Sequence, residues 1–481
     1  MTRFSSLQRP LAFVLSALLA VPPAFAQLPD LGHSAQESLS PVDEQRIAEE
    51  VLRQVRFREP AYVNDAEIEE YLAALGQRLL AAAPGNSVDY RFFLLRDPSV
   101  NAFAMPGGVI GFHTGLLVTA QTESELASVM AHEISHVSQS HIARMLSMQG
   151  RNTAMVLASI LVAVLAGRNS ANTASAVLAG GQALAVQNQL AYSRDYERES
   201  DRLGLQMLMA AGFDPQGMPD FLTRLHAQTR SLDNASGAYL STHPLTQDRI
   251  ADVAERVRQI GPRPAAPSLD FHLLRSKVEV MQLGARTAIP VFRERKADDA
   301  IGRAAILYGL TRAYLADHQP EEAAKSLAQL QALKLDSVLL VSLAADVASA
   351  RGRHAEAAQL CRDARQRFAA RASLQYCEAE AWLAGGQPAQ ALRVVDPLLR
   401  VLSSDYRLYM LQAKANTQLG RSTEAHRAQA EVYALQADYA GAIDQLELAR
   451  RAGGGDHIEQ AAMDARLREL RKLQGERMKQ R

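Results

Sequence analysis

The chain has 481 residues, of which 48% are hydrophobic and 22% are charged, an ordinary globular composition that excludes intrinsic disorder. Its 52 Lys and Arg residues balance 52 Asp and Glu residues, and this zero net charge argues against electrostatic binding of nucleic acid or of an anionic membrane. The length exceeds that of one compact domain, so we expect two folded units, and the abundance of Ala and Leu favours helices.

The chain begins with the pattern of a signal peptide at residues 1–26. An apolar run of 11 residues, 11–21, follows two arginines, and Ala24-Phe25-Ala26 supplies the small residues that a signal peptidase recognises. The run is shorter than the ~20 residues that span a bilayer. We therefore expect export, with a mature chain that starts near Gln27. The alternative is an N-terminal membrane anchor.

Two helices and three extended segments are predicted next. Apolar residues at three- and four-residue spacings predict helices at 43–57 and 66–83, the second of which a Pro-Gly-Asn sequence at 84–86 stops. Residues 90–95 form a strand, and 101–112 form two extended segments around a Pro-Gly-Gly turn.

The strongest chemical signal lies on a long helix that is predicted to run from Thr122, its N-cap, to Leu146. Residues 132–136 read His-Glu-Ile-Ser-His, which puts His132 and His136 on one helix face, where both can reach one metal ion. Glu133 follows the first histidine and is placed to take a proton from a water molecule that the metal activates. The alternative is a pair of surface histidines.

A catalytic zinc ion needs three protein ligands and one open position, and the candidate third ligand lies downstream. The two-histidine helix followed by a Glu-x-x-x-Asp sequence, Glu197 to Asp201, resembles the HtpX-like and CAAX-prenyl-protease-like metallopeptidases. The resemblance implies that Glu197 binds zinc together with His132 and His136. It also implies that Asp201, one helical turn later, orients a ligand histidine.

Two further segments carry the same resemblance. Residues 101–108 look like the family's edge strand, to which an extended peptide could add by backbone hydrogen bonds, although a purely structural hairpin is the alternative. The His-Pro…Arg segment of the family matches His243 to Arg249. His243 would either stabilise a developing oxyanion or fill the open zinc position in a self-inhibited state, and Arg249 would anchor the loop to the carboxylates of the site.

The remaining polar residues near these motifs have no comparable context. Glu199 points about 200° away from Glu197 on the same helix, so we expect it to be a solvated neighbour. We expect His113, His141 and His226 to be structural or solvated.

Two Ala-rich apolar stretches, 155–166 and 174–186, are too short to span a membrane. They predict a helical hairpin buried in the domain. The alternative is a flap that rests on a membrane surface or on a client protein.

A Pro-rich linker at 262–267 precedes a change in the sequence pattern. Beyond it, one alanine recurs in similar phrases at a constant spacing of 34 residues. The four positions are Ala323, Ala357, Ala391 and Ala425. A helix–turn–helix unit of this period resembles the tetratricopeptide repeat family, over about 301–437, and two further helices are expected to cap the stack. The alternative is an unrelated helical tail.

The only two cysteines, Cys361 and Cys377, fall on adjacent helices of this repeat register. Because export permits disulfides, we hypothesise that they are bonded, with two buried inert thiols as the alternative.

The predicted fold class is mainly α. It comprises a gluzincin-like α+β metallopeptidase domain with a short β-sheet at 27–260, a linker and connecting helix at 261–300, and an α-solenoid of tetratricopeptide repeats with capping helices at 301–481. This order resembles a family of periplasmic proteases that degrade stalled outer-membrane proteins and assist β-barrel assembly.

The resemblance implies a zinc endopeptidase with one Zn²⁺ per chain, unfolded or misassembled proteins as substrates, and the β-barrel assembly machinery as a partner of the repeats. The alternative is a protease-silent chaperone or scaffold that acts through the repeats. An integral-membrane prenyl-protein protease is disfavoured, because no segment after Gln27 is long enough to span a bilayer.

Overall fold

The computed structural model describes residues 39–82, 88–149, 194–230, 239, 243–368, 371–453 and 456–480. The predicted signal peptide, the Pro-Gly-Asn stop at 84–86 and the two apolar stretches at 155–166 and 174–186 lie outside the described residues. Within the described ranges the chain is mainly helical with one three-stranded sheet, as predicted. None of the described helices combines the length and the apolarity that a membrane span requires.

The first part of the chain forms two helices and the sheet. These elements are α1 (Pro41–Arg58), α2 (Ala66–Ala81), β1 (Arg91–Leu95), β2 (Ala102–Met105) and β3 (Val109–His113). The sheet has the order β1-β3-β2, with β1 parallel and β2 antiparallel to β3. Gly107 and Gly108 turn the chain between β2 and β3 at φ values of 75° and 85°, which other residues rarely adopt.

Both faces of the sheet are buried, and alternate residues of each strand enter two different cores. One set packs with α2: Phe92, Leu94, Ala102, Ala104, Ile110 and Phe112. The other set packs with α1: Phe93, Leu95, Phe103, Met105 and Val109. The sheet therefore forms the middle layer between α1 and the rest of the domain.

The predicted long helix at 122–146 is wrong in one respect, because the chain forms two helices here. The short helix α3 (Thr114–Thr119) leads into α4 (Glu123–Ser138), and α5 (His141–Gln149) follows. Thr122 caps α4 as predicted, since its side chain accepts a 3.2 Å hydrogen bond from the Glu125 amide. Ser140 takes a φ of 50°, in the left-handed region, and this residue ends the first helix.

Three helices complete this region: α6 (Arg194–Ala210), α7 (Gly217–Arg230) and α8 (Gln247–Ile260). Helix α6 packs along α4. The two backbones approach so closely at Gly204 that an added Cβ atom would lie 3.1 Å from the His132 nitrogen. A glycine at this position therefore lets α6 bring its polar side chains up to α4.

The predicted linker has no helix or strand between residues 261 and 268. Twelve described helices follow it: α9 (Leu269–Leu283), α10 (Ala285–Glu294), α11 (Ala300–Ala316), α12 (Pro320–Gln331), α13 (Val338–Ala350), α14 (His354–Arg367), α15 (Ala372–Ala384), α16 (Pro388–Leu399), α17 (Tyr406–Gln418), α18 (Ser422–Leu435), α19 (Tyr439–Arg451) and α20 (His457–Gln480).

The four alanines of the 34-residue period each occupy the fourth position of the second helix in a pair, in α12, α14, α16 and α18. Ala323, Ala357 and Ala391 are fully buried, so the small side chain permits close helix packing. Cys361 of α14 and Cys377 of α15 form a disulfide bond, which confirms the hypothesis from the repeat register.

Helix α2 contacts the helical array through a row of carboxylates. Lys277 of α9 is almost fully buried and lies 2.6 Å from Asp65, the N-cap of α2, and 2.5 Å from Glu67. Arg312 of α11 lies 3.5 Å from Glu67. Burial alone would raise the pKa of Asp65, but Lys277 and Arg312 hold that pKa below its usual range.

Two later repeat helices also contact carboxylates of α2. Ser373, at the start of α15, donates its amide and hydroxyl hydrogens to Glu70 at 2.8 and 2.6 Å. Arg407, at the start of α17, makes two hydrogen bonds of 3.0 and 2.6 Å with the carboxylate of Glu69. Helix α2 and its N-cap thus contact four of the later helices, α9, α11, α15 and α17.

Candidate active site

Four buried side chains direct potential metal-binding atoms at one point. His132 and His136 come from α4, Glu197 from α6, and His243 from the segment before α8. Their ligand atoms all lie within 4.8 Å of one another. The structure thus brings together the three sequence-predicted zinc ligands and the loop histidine.

The separations of these atoms suit a tetrahedral zinc ion. The Nε2 atoms of His132 and His136 are 3.0 Å apart, and they lie 3.5 and 3.3 Å from the Glu197 carboxylate oxygens. Nδ1 of His243 is 3.0 Å from Glu197 and 3.4 Å from Nε2 of His132. A tetrahedron with zinc–ligand bonds of ~2.05 Å has edges of about 3.3 Å, so the donor set fits Zn²⁺.

A carboxylate and an arginine hold His132. Its Nδ1 atom lies 2.9 Å from Asp201, one turn beyond Glu197 on α6. The hydrogen bond through Nδ1 leaves Nε2 free to face the other ligand atoms. Arg249 makes two hydrogen bonds to Asp201, lies 2.5 Å from Glu197, and donates to the Pro244 carbonyl at 2.9 Å.

A second histidine contacts the far side of His136. Nδ1 of His141 lies 2.8 Å from Nδ1 of His136, and Nε2 of His141 lies 3.2 Å from the Glu199 carboxylate. Glu199 is partly buried and also lies 3.4 Å from Arg144, so it is not the solvated neighbour that we expected. Burial lowers the pKa of the His141 imidazole to about 4, although Glu199 opposes this shift.

Glu133 is fully buried beside these ligands. Its two carboxylate oxygens accept no hydrogen bond from the described residues, and Nε2 of His243 lies 3.5 Å from one of them. Burial raises the pKa of Glu133, and the nearby His243 and His132 only partly offset this rise. A carboxylate whose pKa is raised in this way accepts a proton more readily than a solvated carboxylate does, as a general base must.

The other two carboxylates of the site are held in the ionised form. Burial would raise the pKa of Glu197, but His243, His132 and His136 hold it well below the usual range. Burial also opposes ionisation of Asp201, whose pKa is nonetheless lowered by His132 and Arg249. Ionised carboxylates are the form that binds a metal ion or orients an imidazole.

Tyr239 is a neighbour of the site that sequence reasoning missed. Its ring stacks on His243 with centroids 4.7 Å apart, and its carbonyl accepts a 2.8 Å hydrogen bond from the His243 amide. In the sequence, only its position four residues before His243 could have indicated that it lies beside the site. Tyr239 is buried and supports the ring of His243 by stacking on it.

The sheet presents β2 next to this cluster. Within the described residues β2 pairs with β3 alone, and it packs against α4. His113, at the end of β3, is buried away from the cluster and hydrogen-bonds to Ser99 at 2.8 Å, in keeping with a structural role.

Comparisons with known proteins agree with this arrangement. The model of peptidase family M48 matches residues 66–257. The putative β-barrel assembly-enhancing protease of Vibrio cholerae serotype O1 is 35% identical over 475 residues, which cover 96% of this chain and 97% of the relative. The β-barrel assembly-enhancing protease of Escherichia coli K12 is 33% identical over 98% of both chains. A more distant relative, the mitochondrial metalloendopeptidase OMA1 of Schizosaccharomyces pombe, is 28% identical over 38% of this chain and 52% of its own.

Proposed function

Because the chain belongs to the β-barrel assembly-enhancing proteases, within peptidase family M48, we propose that it degrades misfolded or stalled outer-membrane proteins and assists β-barrel assembly. It is a zinc-dependent metalloprotease, and its substrates are proteins. The observation that carries the proposal is the convergence of two histidines and a carboxylate at tetrahedral spacing. Beside them lies the buried Glu133, whose carboxylate accepts no hydrogen bond from the described residues.

In this proposal His132, His136 and Glu197 hold the zinc ion. The chemistry that zinc would supply there is Lewis acidity, which would polarise the scissile carbonyl and make a water molecule easier to deprotonate. Glu133 takes the proton of the attacking water and returns it to the leaving amine, for which its raised pKa is suited. Asp201 keeps His132 in the tautomer that presents Nε2 to the metal.

His243 fills the fourth position in the resting enzyme. Its Nδ1 atom lies 3.0 Å from Glu197 and 3.4 Å from Nε2 of His132, where a substrate oxygen has to enter. Arg249 anchors the segment of His243 through the Pro244 carbonyl and through its bonds to Asp201. Once displaced, His243 stays close enough to stabilise an oxyanion.

An extended substrate segment adds by backbone hydrogen bonds to the side of β2 that pairs with no strand of the described residues, and so lies across α4. This mode of recognition reads an unfolded backbone rather than a particular sequence. It suits an enzyme whose clients are proteins that have failed to fold.

We assign the repeats to contacts with the β-barrel assembly machinery, and the chain to the periplasm. Solenoids present extended surfaces to protein partners. The support comes from the role in β-barrel assembly for which the relatives are named and from the signal-peptide pattern at residues 1–26.

One observation favours a second function. The ligand atom of His243 lies within 4.8 Å of those of His132, His136 and Glu197, so a zinc ion held by all four would have no position open to substrate, as in a protease-silent chaperone or scaffold. In that case the repeats alone would provide the activity in assembly.

The deciding experiment compares the mature wild-type chain, Glu133→Gln and the exposed control Glu424→Gln for zinc content and casein cleavage. We expect one zinc ion in all three and no cleavage by Glu133→Gln alone. Full activity of Glu133→Gln would overturn the mechanism. Rescue of outer-membrane assembly by Glu133→Gln as complete as that by wild type would favour the scaffold.

A further inference from the structure

The side of the His136 ring that faces away from the ligand cluster is in contact with a second histidine, His141. Its Nε2 atom points at the cluster, 3.0 Å from Nε2 of His132, whereas its Nδ1 atom lies 2.8 Å from Nδ1 of His141. Both rings are buried, and their centroids are 4.9 Å apart at 76°. The only other polar atom close to this His141 nitrogen among the described residues is the Ser200 hydroxyl, at 3.5 Å.

These contacts have only one consistent set of proton positions. An imidazole that gives Nε2 to a metal carries its proton on Nδ1, so His136 must donate from Nδ1. His141 must then accept at Nδ1, and a neutral imidazole that accepts at one nitrogen carries its proton on the other. Nε2 of His141 lies 3.2 Å from Glu199, which can only accept. His136 therefore donates to His141, and His141 donates to Glu199, so both hydrogen bonds point away from the ligand cluster.

The backbone and two aromatic contacts fix His141 in this place. The left-handed turn at Ser140 ends α4 and starts α5, so that His141 lies behind His136 instead of continuing the first helix. Tyr196 stacks on the His141 ring at 4.5 Å and 15°. The Arg144 guanidinium in turn lies over the Tyr196 ring, 4.7 Å from its centroid, and reaches Glu199 at 3.4 Å.

We propose that His141 and Glu199 are positioning residues that hold His136 in the zinc-binding tautomer and orientation. They do for His136 what Asp201 and Arg249 do for His132, so that each ligand histidine of α4 has its own hydrogen-bonded support. The proposal rests on the assignment of His136 as a zinc ligand. It adds His141 and Glu199 to the site, and both affect the metal only through the His136 side chain.

The contrasting explanation is that His141 merely fills space between α4, α5 and α6. The two explanations differ in what a phenylalanine would do. His141→Phe keeps a flat ring that can stack on Tyr196, but it removes the acceptor for the His136 proton. A packing residue would tolerate this change without loss of zinc, and a positioning residue would not.

The experiment measures the zinc dissociation constant by competition with a chromophoric chelator at one neutral pH, in a Glu133→Gln background that prevents self-cleavage. For His141→Phe we expect binding weaker by about 10- to 100-fold, the usual effect of losing such a partner. Glu199→Leu should weaken binding in the same direction. Glu199→Gln retains an acceptor oxygen for His141 and should stay closer to wild type.

His272→Phe serves as the matched control, because His272 also packs beside an aromatic ring but lies on α9 away from the cluster. Thermal unfolding of each zinc-free variant shows separately whether the fold has suffered. If His141→Phe does not fold, Glu199→Leu decides, since the Glu199 side chain is 24% exposed.

Wild-type zinc affinity in both His141→Phe and Glu199→Leu would overturn the inference and leave the proposed zinc site intact. Absence of zinc from the parent chain itself would instead overturn the proposed ligand set, and the inference with it.

Discussion

The guanidinium of Arg249 donates two parallel hydrogen bonds to the carboxylate of Asp201, from Nε at 2.8 Å and from Nη2 at 2.9 Å. Both side chains are buried, and the same guanidinium neutralises Glu197. A planar fork of this kind orients a carboxylate more firmly than a lysine could. Arg249 therefore sets the position of Asp201, and through it that of His132.

Replacing Arg249 by methionine should strongly destabilise the protein. The change leaves Asp201 and Glu197 buried without their cation, and breaking a buried ion pair in this way costs about 3–5 kcal/mol. Urea denaturation of the zinc-free protein measures the loss. The matched control is Arg256→Met on α8, whose pair with Asp252 is 44% and 43% exposed and should contribute less than about 1 kcal/mol. Equal effects of the two substitutions would contradict the assignment.

Removing the loop histidine should accelerate proteolysis. His243→Ala frees the fourth zinc position, so we expect faster cleavage of unfolded casein with unchanged zinc content. The steady-state rate at saturating casein provides the measurement, and Tyr239→Phe is the companion variant that leaves His243 in place. Slower cleavage by His243→Ala would show that its role in oxyanion stabilisation outweighs its role as a closed gate.

Reduction of the disulfide should weaken the repeat array. Cys361 and Cys377 are separated by 16 residues, and closure of a loop of that size stabilises a fold by about 3 kcal/mol in the chain-entropy model. The midpoint of urea denaturation, with and without reductant, reports the change. A double Cys361→Ala, Cys377→Ala variant should already have the lower midpoint and should not respond to reductant. Insensitivity of the wild-type midpoint would count against a stabilising bond.

Loss of the cation between the two halves of the chain should loosen their contact. Lys277→Met leaves the partly buried Asp65 and Glu67 without their closest positive charge, at an expected cost of up to about 3 kcal/mol. We expect an added protease to cleave the linker at 261–268 faster in this variant. Gel electrophoresis of samples taken over time measures the rate. The exposed Lys325→Met is the control. A linker that resists cleavage equally in both variants would show that other contacts carry the interface.

Local patterns in the sequence predicted much of the fold. The spacing of His132 and His136 defines a shared helix face whatever surrounds it, and the short, aromatic-rich segment at 90–95 is typical of a strand, which the structure has at Arg91–Leu95. The 34-residue period needs no knowledge of tertiary contacts, because each repeat is a copy of its neighbour. Such features depend only on residues that are close in the chain.

The features that escaped prediction depend on contacts between distant residues. No Gly or Pro marks the break at Ser140, where the left-handed residue starts a new helix whose His141 and Arg144 contact Glu199 of α6. The angle of Glu199 on an isolated helix predicts that its side chain faces solvent. Only the approach of His141, 58 residues earlier in the chain, turns that same face into part of the site.

Helix α6 directs three carboxylates to three different partners within five consecutive positions, at Glu197, Glu199 and Asp201. Successive residues of an α-helix are about 100° apart, so one inserted or deleted residue between positions 197 and 201 would turn Asp201 away from its histidine. Substitution of the exposed Arg198 leaves that spacing intact. Changes of length should therefore be absent from this turn in functional descendants of the chain, and should accumulate in surface loops such as 400–405 between repeat helices.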